Sequence, residues 1–114
     1  MQPEPGASAD AKTILVIGAH YDDAPFGVPG LLLKAVRKQC RVVVINIIGD
    51  YHRWGPVRGR ADQLVELSRD IAAERGIDMR FLSYASMRFE ANAAIARELA
   101  QAVADVRPDV ALTL

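Results

Sequence analysis

Cysteine is almost absent from this sequence, with Cys40 standing alone among 114 residues. That excludes a disulfide framework and a zinc site built on thiolates. Cys40 opens an apolar run and reads as a small hydrophobe at a strand start. Net charge is absent as well, since 14 basic side chains are matched by 14 acidic ones. No electrostatic basis exists for holding nucleic acid or an anionic membrane surface. No apolar run approaches the ~20 residues of a membrane-spanning helix. Residues 1–12 lack the basic start and apolar stretch of a secretion signal, and with Pro3, Pro5 and Gly6 they read as a flexible tail. The expected location is therefore the cytoplasm. What is present is 51% hydrophobic and 25% charged residues, a mixture suited to one globular α/β domain over residues 13–114.

Four short apolar runs alternate with three segments of helical period. Thr13–Gly18, Arg41–Ile48, Met79–Tyr84 and Asp109–Leu114 read as strands, the second β-branched almost throughout. Between them, Val28–Gln39 carries Leu31, Leu32, Ala35 and Val36 on one helical face, and Arg60–Arg75 carries Leu64, Leu67, Ile71 and Ala72. Glu90–Val106 carries Ile95, Leu99, Ala102, Val103 and Val106 before Pro108 forbids continuation. Helical crossovers between buried strands predict a Rossmann-like open parallel sheet in the order 3-2-1-4, with helices on both faces. Ligands of such sheets collect beyond the carboxyl ends of the strands, above all where the strand order reverses.

At the end of the first strand, Gly18-Ala19-His20-Tyr21-Asp22-Asp23 places one imidazole and two carboxylates within four residues. The dinucleotide pattern G-x-G-x-x-G is missing, and adjacent carboxylates would repel a phosphate. His with Asp suits a divalent metal, because imidazole nitrogen and carboxylate oxygen are compatible ligands for such ions. His20 and Asp23 are spaced so that a turn can aim both at one point, leaving Asp22 free to act as a base. The plainer alternative is a helix-capping aspartate beside a histidine that satisfies a backbone carbonyl.

Ile14-Leu-Val-Ile-Gly-Ala-His20-Tyr-Asp22-Asp23, followed by Gly27-Val-Pro-Gly30, resembles the opening of the PIG-L/LmbE-like de-N-acetylases. Ile48-Gly49-Asp50, Glu66, Gly76 and Arg107-Pro108-Asp109-Val110 follow in that family's order, so the resemblance covers about residues 13–114. It implies a zinc-dependent hydrolase that removes an acetyl or acyl group from an N-acylated glucosamine conjugate, a small-molecule partner. It also implies His20 and Asp23 as ligands of Zn2+ or another divalent metal, and Asp22 as general base. Tyr21 stands where the family usually has proline, and Ala85–Arg88 lacks an acidic residue that many members carry. The family's fourth strand runs into a His-rich second motif that supplies the third metal ligand, whereas this sequence stops at Leu114. The chain is therefore expected to be the N-terminal portion of a larger enzyme, truncated after the fourth strand, inactive alone and prone to homo-oligomerise. A non-catalytic sugar-binding module or pseudoenzyme with an incomplete metal site is the alternative.

The segment from Gly49 to Arg60 holds the sole tryptophan and the second histidine. Aromatic faces stack on sugar rings, and Arg and Asp bind hydroxyls or an anionic group. Asp50, His52, Arg53, Trp54 and Arg58 are thus expected to form a substrate wall. The plainer reading packs Trp54 over a helix. His52 as a metal ligand is a less favoured option.

Overall fold

The computed structural model of the protein describes residues 11–114, so the expected tail falls outside the described residues up to position 10. Four parallel strands, β1 (Thr13–Gly18), β2 (Arg41–Asp50), β3 (Ile77–Ala85) and β4 (Val110–Thr113), form one sheet in the order β3-β2-β1-β4. This is the predicted topology. Its cause lies in the composition of the two inner strands: Leu15, Val16 and Val42 to Ile45 are buried on both faces of the sheet.

The helices are α1 (Asp23–Gly27), α2 (Pro29–Arg37), α3 (Ala61–Glu74) and α4 (Ala93–Val106). One face of the sheet packs Val16, Val42, Val44 and Met79 against Ala24, Leu32, Ala35 and Ala72. The opposite face packs Leu15, Val43 and Ile45 against Leu99, Ala102, Val103 and Val106 of α4. Complete burial of each such aliphatic side chain contributes about 1.5–3 kcal/mol. Asp109 fastens the last strand to the first, its Oδ2 accepting the Thr13 N–H at 2.7 Å. Asn92 caps α4, its Oδ1 accepting the Ile95 N–H at 3.0 Å, so that helix begins at Ala93 rather than Glu90.

Three further sequence expectations are corrected. Leu67 and Ile71 were expected on the buried face of α3 but are 59% and 49% exposed. The stripe that meets the sheet is Ala61, Val65, Ser68 and Ala72, and at 100° per residue Ile71 and Leu67 lie roughly 90° and 130° round from its centre. The short α1 replaces an expected turn; Val28 breaks it from α2, which restarts with Pro29 in its first turn. Finally, β2 continues two residues beyond Ile48 by bulging against β3. Gly49 makes the bulge fit: a Cβ there would stand 1.9 Å from the Leu82 carbonyl oxygen. The bulge carries Asp50 and Tyr51 to the carboxyl edge beside the end of β1.

Candidate active site

Beyond β1 the chain turns sharply into α1, and the carboxylate of Asp23 is the pivot of that turn. Its Oδ2 accepts the Ala19 N–H at 3.0 Å and the His20 N–H at 2.8 Å. Asp23 N–H in turn donates to the His20 carbonyl at 3.2 Å. The turn is tied to β2 because Ile48 N–H donates to the Ala19 carbonyl at 2.9 Å. Gly18 eases the approach, since a Cβ there would lie 3.1 Å from the Asp23 Cβ and press on it.

His20 Nδ1 ends 3.7 Å from Asp23 Oδ2, with the two side chains 47% and 37% exposed. Imidazole and carboxylate thus converge on one half-open point at the carboxyl edge of a central strand. Oδ2 accepts those two backbone N–H groups as well as facing the imidazole. Asp22 occupies the N-cap position of α1, yet its side chain makes no capping hydrogen bond. Its carboxylate is therefore not consumed by helix initiation, which removes the capping account of that residue. Among the described residues, no group of three His, Cys, Asp or Glu side chains is brought together.

The second loop is built differently. Tyr51, absent from the sequence expectations, is buried, and its hydroxyl accepts the Tyr21 N–H at 2.9 Å. It stands edge-on to Tyr21 at a centroid distance of 5.6 Å and lies 6.3 Å from the His20 ring. Burial, above all, pushes its pKa up to about 12, so the phenol stays neutral. Trp54 is half-buried against the cluster of Ile48, Tyr51 and Ala61, its ring 6.4 Å from Tyr21 and 6.3 Å from Tyr51. His52 uses both ring nitrogens locally, Nδ1 at 2.6 Å from Asp50 Oδ1 and Nε2 at 3.3 Å from Asp62 Oδ1. It does not join His20 and Asp23 in a ligand group. Arg53 and Arg58 are exposed on the same loop.

Two hollows border the turn. A cleft of about 380 Å³ runs between α2 and α3 from Tyr21 and Asp22 past Phe26, Leu33 and Ile71, and is overwhelmingly apolar. A smaller one of about 300 Å³ is lined by Ala19, His20, Ile47, Ile48, Ser86, Met87 and Phe89. Asp22 lines the larger cleft, and His20 lines the smaller hollow. The loop after β3 forms its wall, with Ser86 N–H donating to the Asp50 carbonyl at 2.8 Å. Ser86, Met87 and Phe89 carry no titratable group, and the sequence offered no signal for them except their position after a strand end.

From residue 15 to residue 114 the sequence matches the family model described as PIG-L, GlcNAc-PI de-N-acetylase. No curated protein matches the sequence. Among solved structures, the N,N'-diacetylchitobiose deacetylase of Pyrococcus horikoshii aligns with a TM-score of 0.73 at 20% identity, over 90% of this chain and 40% of that one. A pseudoaglycone deacetylase aligns with a TM-score of 0.69 at 21% identity, over 90% of this chain and 50% of that one. A 4-carboxy-2-hydroxymuconate hydratase of Pseudomonas putida aligns with a TM-score of 0.72 at 17% identity, over 88% and 45%. These likenesses establish a shared fold. The chain spans 40–50% of the length of these three proteins.

Proposed function

The chain belongs to the PIG-L family of GlcNAc-PI de-N-acetylases, and on that premise we propose that it carries part of the active site of a zinc-dependent hydrolase. The substrate is an N-acylated glucosamine conjugate, and the bond broken is the amide that holds the acetyl or acyl group. The observation that carries this reading is the convergence of the His20 imidazole and the Asp23 carboxylate, 3.7 Å apart at the carboxyl end of β1. One nitrogen and one oxygen donor, both half-exposed, fit a borderline divalent ion such as zinc. Catalytic zinc sites use three protein ligands as a rule, and the described residues bring together two.

In this assignment His20 and Asp23 hold the ion. Bound there, zinc supplies polarisation of the amide carbonyl and lowers the pKa of a water to ~7. Asp22 takes the proton of the water that attacks the carbonyl carbon and returns it to the nitrogen as the C–N bond breaks. The products are a free glucosamine amine and a carboxylate. The backbone donors to Asp23 Oδ2 hold that carboxylate in place throughout, so ligand geometry does not depend on substrate. Ile48, Ser86, Met87 and Phe89 give the substrate a partly apolar hollow next to the imidazole.

The test is amine release from an N-acetylglucosaminyl conjugate by the protein extended past residue 114 to include the third ligand that the family resemblance implies, measured with a chelator and after zinc is restored. Activity should vanish with the chelator and return with zinc. Asp22→Asn should lower turnover by about 10²–10⁴-fold while zinc content holds. Zinc loss in Asp22→Asn equal to that in His20→Ala would overturn the division between base and ligand. The second reading, a sugar-binding module without turnover, draws on the same pair of ligands; it predicts saturable binding of the conjugate with no amine released at any zinc concentration.

A further inference from the structure

Asn46 is fully buried within the apolar run of β2, and neither its Nδ2 nor its Oδ1 has a hydrogen-bond partner among the described residues. A buried amide with both ends unmatched is uncommon in folded proteins, where such groups are answered by a partner, an ordered water or a bound ion. A valine or leucine at this position would match the strand around it, from Val42 to Ile48. Its location supplies a reason for the exception.

Asn46 pairs in register with Gly18 on the neighbouring strand β1. Gly18 has no side chain, and the space a Cβ would enter is shared by two polar groups. From that point Asn46 Oδ1 lies 3.8 Å away and Asp23 Oδ2 3.7 Å away. The unmatched amide and the carboxylate of the candidate metal ligand therefore border one small volume, which the Asp23 Cβ also touches at 3.1 Å. A longer residue at position 18 would separate them.

We propose that Asn46 is a positioning residue for the metal centre: its amide, which presents Oδ1 to this volume, turns over to donate from Nδ2 to the Asp23 carboxylate, directly or through one buried water, when Asp23 binds a divalent cation. This role rests on the reading of Asp23 as a ligand. Carboxylate ligands are themselves held by hydrogen bonds from outside the coordination sphere, and losing one such partner lowers metal affinity by about 10–100-fold. The volume is polar on two sides, which satisfies the first requirement for a water there. Gly18 and Asn46 then form a pair: the glycine opens the window and the amide reaches through it.

Two readouts independent of turnover test the role. Zinc affinity, measured by competition with a chromophoric chelator, should fall 10–100-fold in Asn46→Leu. The metal-free Asn46→Leu protein should melt at the same temperature as the unsubstituted one or several degrees higher, because an unmatched amide has been replaced by an apolar group of similar size. A purely structural role predicts the reverse pattern, with the metal-free protein destabilised and affinity unchanged. In the unsubstituted protein, where folding is not in question, the Asn46 side-chain NH₂ resonances should move when zinc is added. Zinc binding with those resonances unmoved, or with Asn46→Leu affinity unchanged, overturns the role of Asn46 alone. Failure of the unsubstituted protein to bind zinc overturns the metal reading and this role together.

Discussion

The turn after β1 and the loop after β2 are both rich in reactive side chains, and they spend them in opposite ways. In the first, the backbone does the folding work: Asp23 takes two amide hydrogens, Gly18 admits close packing, and His20 is left half-exposed with Asp22 uncommitted to a cap. In the second, the side chains fold the loop. His52 is clamped between Asp50 and Asp62, Tyr51 is buried against the first turn, and Trp54 lies in an apolar cluster. A concentration of His, Asp, Arg and Trp marks a site only where its polar atoms remain unspent. By that measure the first turn is the element whose polar atoms stay available for the proposed metal, and the second is its support.

The largest effects should separate His20 from Asp23 inside the first turn. His20→Ala should lose zinc while the metal-free protein keeps nearly its full stability, because the imidazole side chain supports little of the fold. Asp23→Ala should lose zinc and also cost about 1–3 kcal/mol, since two backbone N–H groups lose a charged acceptor. Asp23→Asn keeps an acceptor and should recover much of the stability without the metal. Thermal melts of metal-free protein beside zinc titrations would show it. Equal destabilisation by His20→Ala and Asp23→Ala would mean the turn is a structural cap only.

Next, ranked by effect on the proposed metal site, is the aromatic support. Trp54→Ala should cost about 2–4 kcal/mol through lost packing around Tyr51 and Ala61, with zinc affinity changed less than threefold. Tyr51→Phe keeps the ring and removes only the hydroxyl, stranding the Tyr21 N–H. It should cost about 1–2 kcal/mol and loosen the connection between the two loops. If Trp54→Ala left stability intact and raised KM for a glucosaminide, Trp54 would belong to the substrate wall after all, and the contrast between the loops would fail.

How much of this was legible beforehand follows from what each feature depends on. The sheet order and the packing of α4 could be read because periodic burial is written residue by residue, as in Leu15, Val43, Ile45 and Val106. The convergence of His20 and Asp23 could be read because their spacing lets one turn bring the two side chains together, here to 3.7 Å. The face of α3 could not be read fully: Leu67 and Ile71 have the right spacing, but α3 lies on the sheet along smaller residues, and side-chain size decides that approach. Tyr51 was hidden because its role depends on the bulge at Gly49, which the sequence shows only as one glycine near a strand end. Asn46 was hidden because its significance lies in a missing partner, which no sequence displays.

The smallest predicted effect belongs to His52, and its sign can be worked out. The hydrogen bond that the His52 ring donates to Asp50, followed by the charge of Asp62, holds the His52 pKa above its ordinary 6.5. A raised folded pKa gives a stabilisation that is complete below about pH 6.5 and lost as pH rises through the raised value. The His52 backbone N–H, followed by its side chain, holds the Asp50 pKa below 3.8. That contribution is complete above about pH 3.8 and lost as pH falls through the lowered value. Both operate between roughly pH 4 and 6.5, so the melting-temperature difference between the unsubstituted protein and His52→Ala should be greatest there and shrink towards pH 9. The pair is exposed, so the difference should be small and should shrink further in 1 M salt. His52→Ala should leave zinc affinity alone, because its nitrogens face Asp50 and Asp62 and not the first turn. A difference that grew towards pH 9 would refute the linkage, and zinc loss matching that of His20→Ala would make the two loops one site.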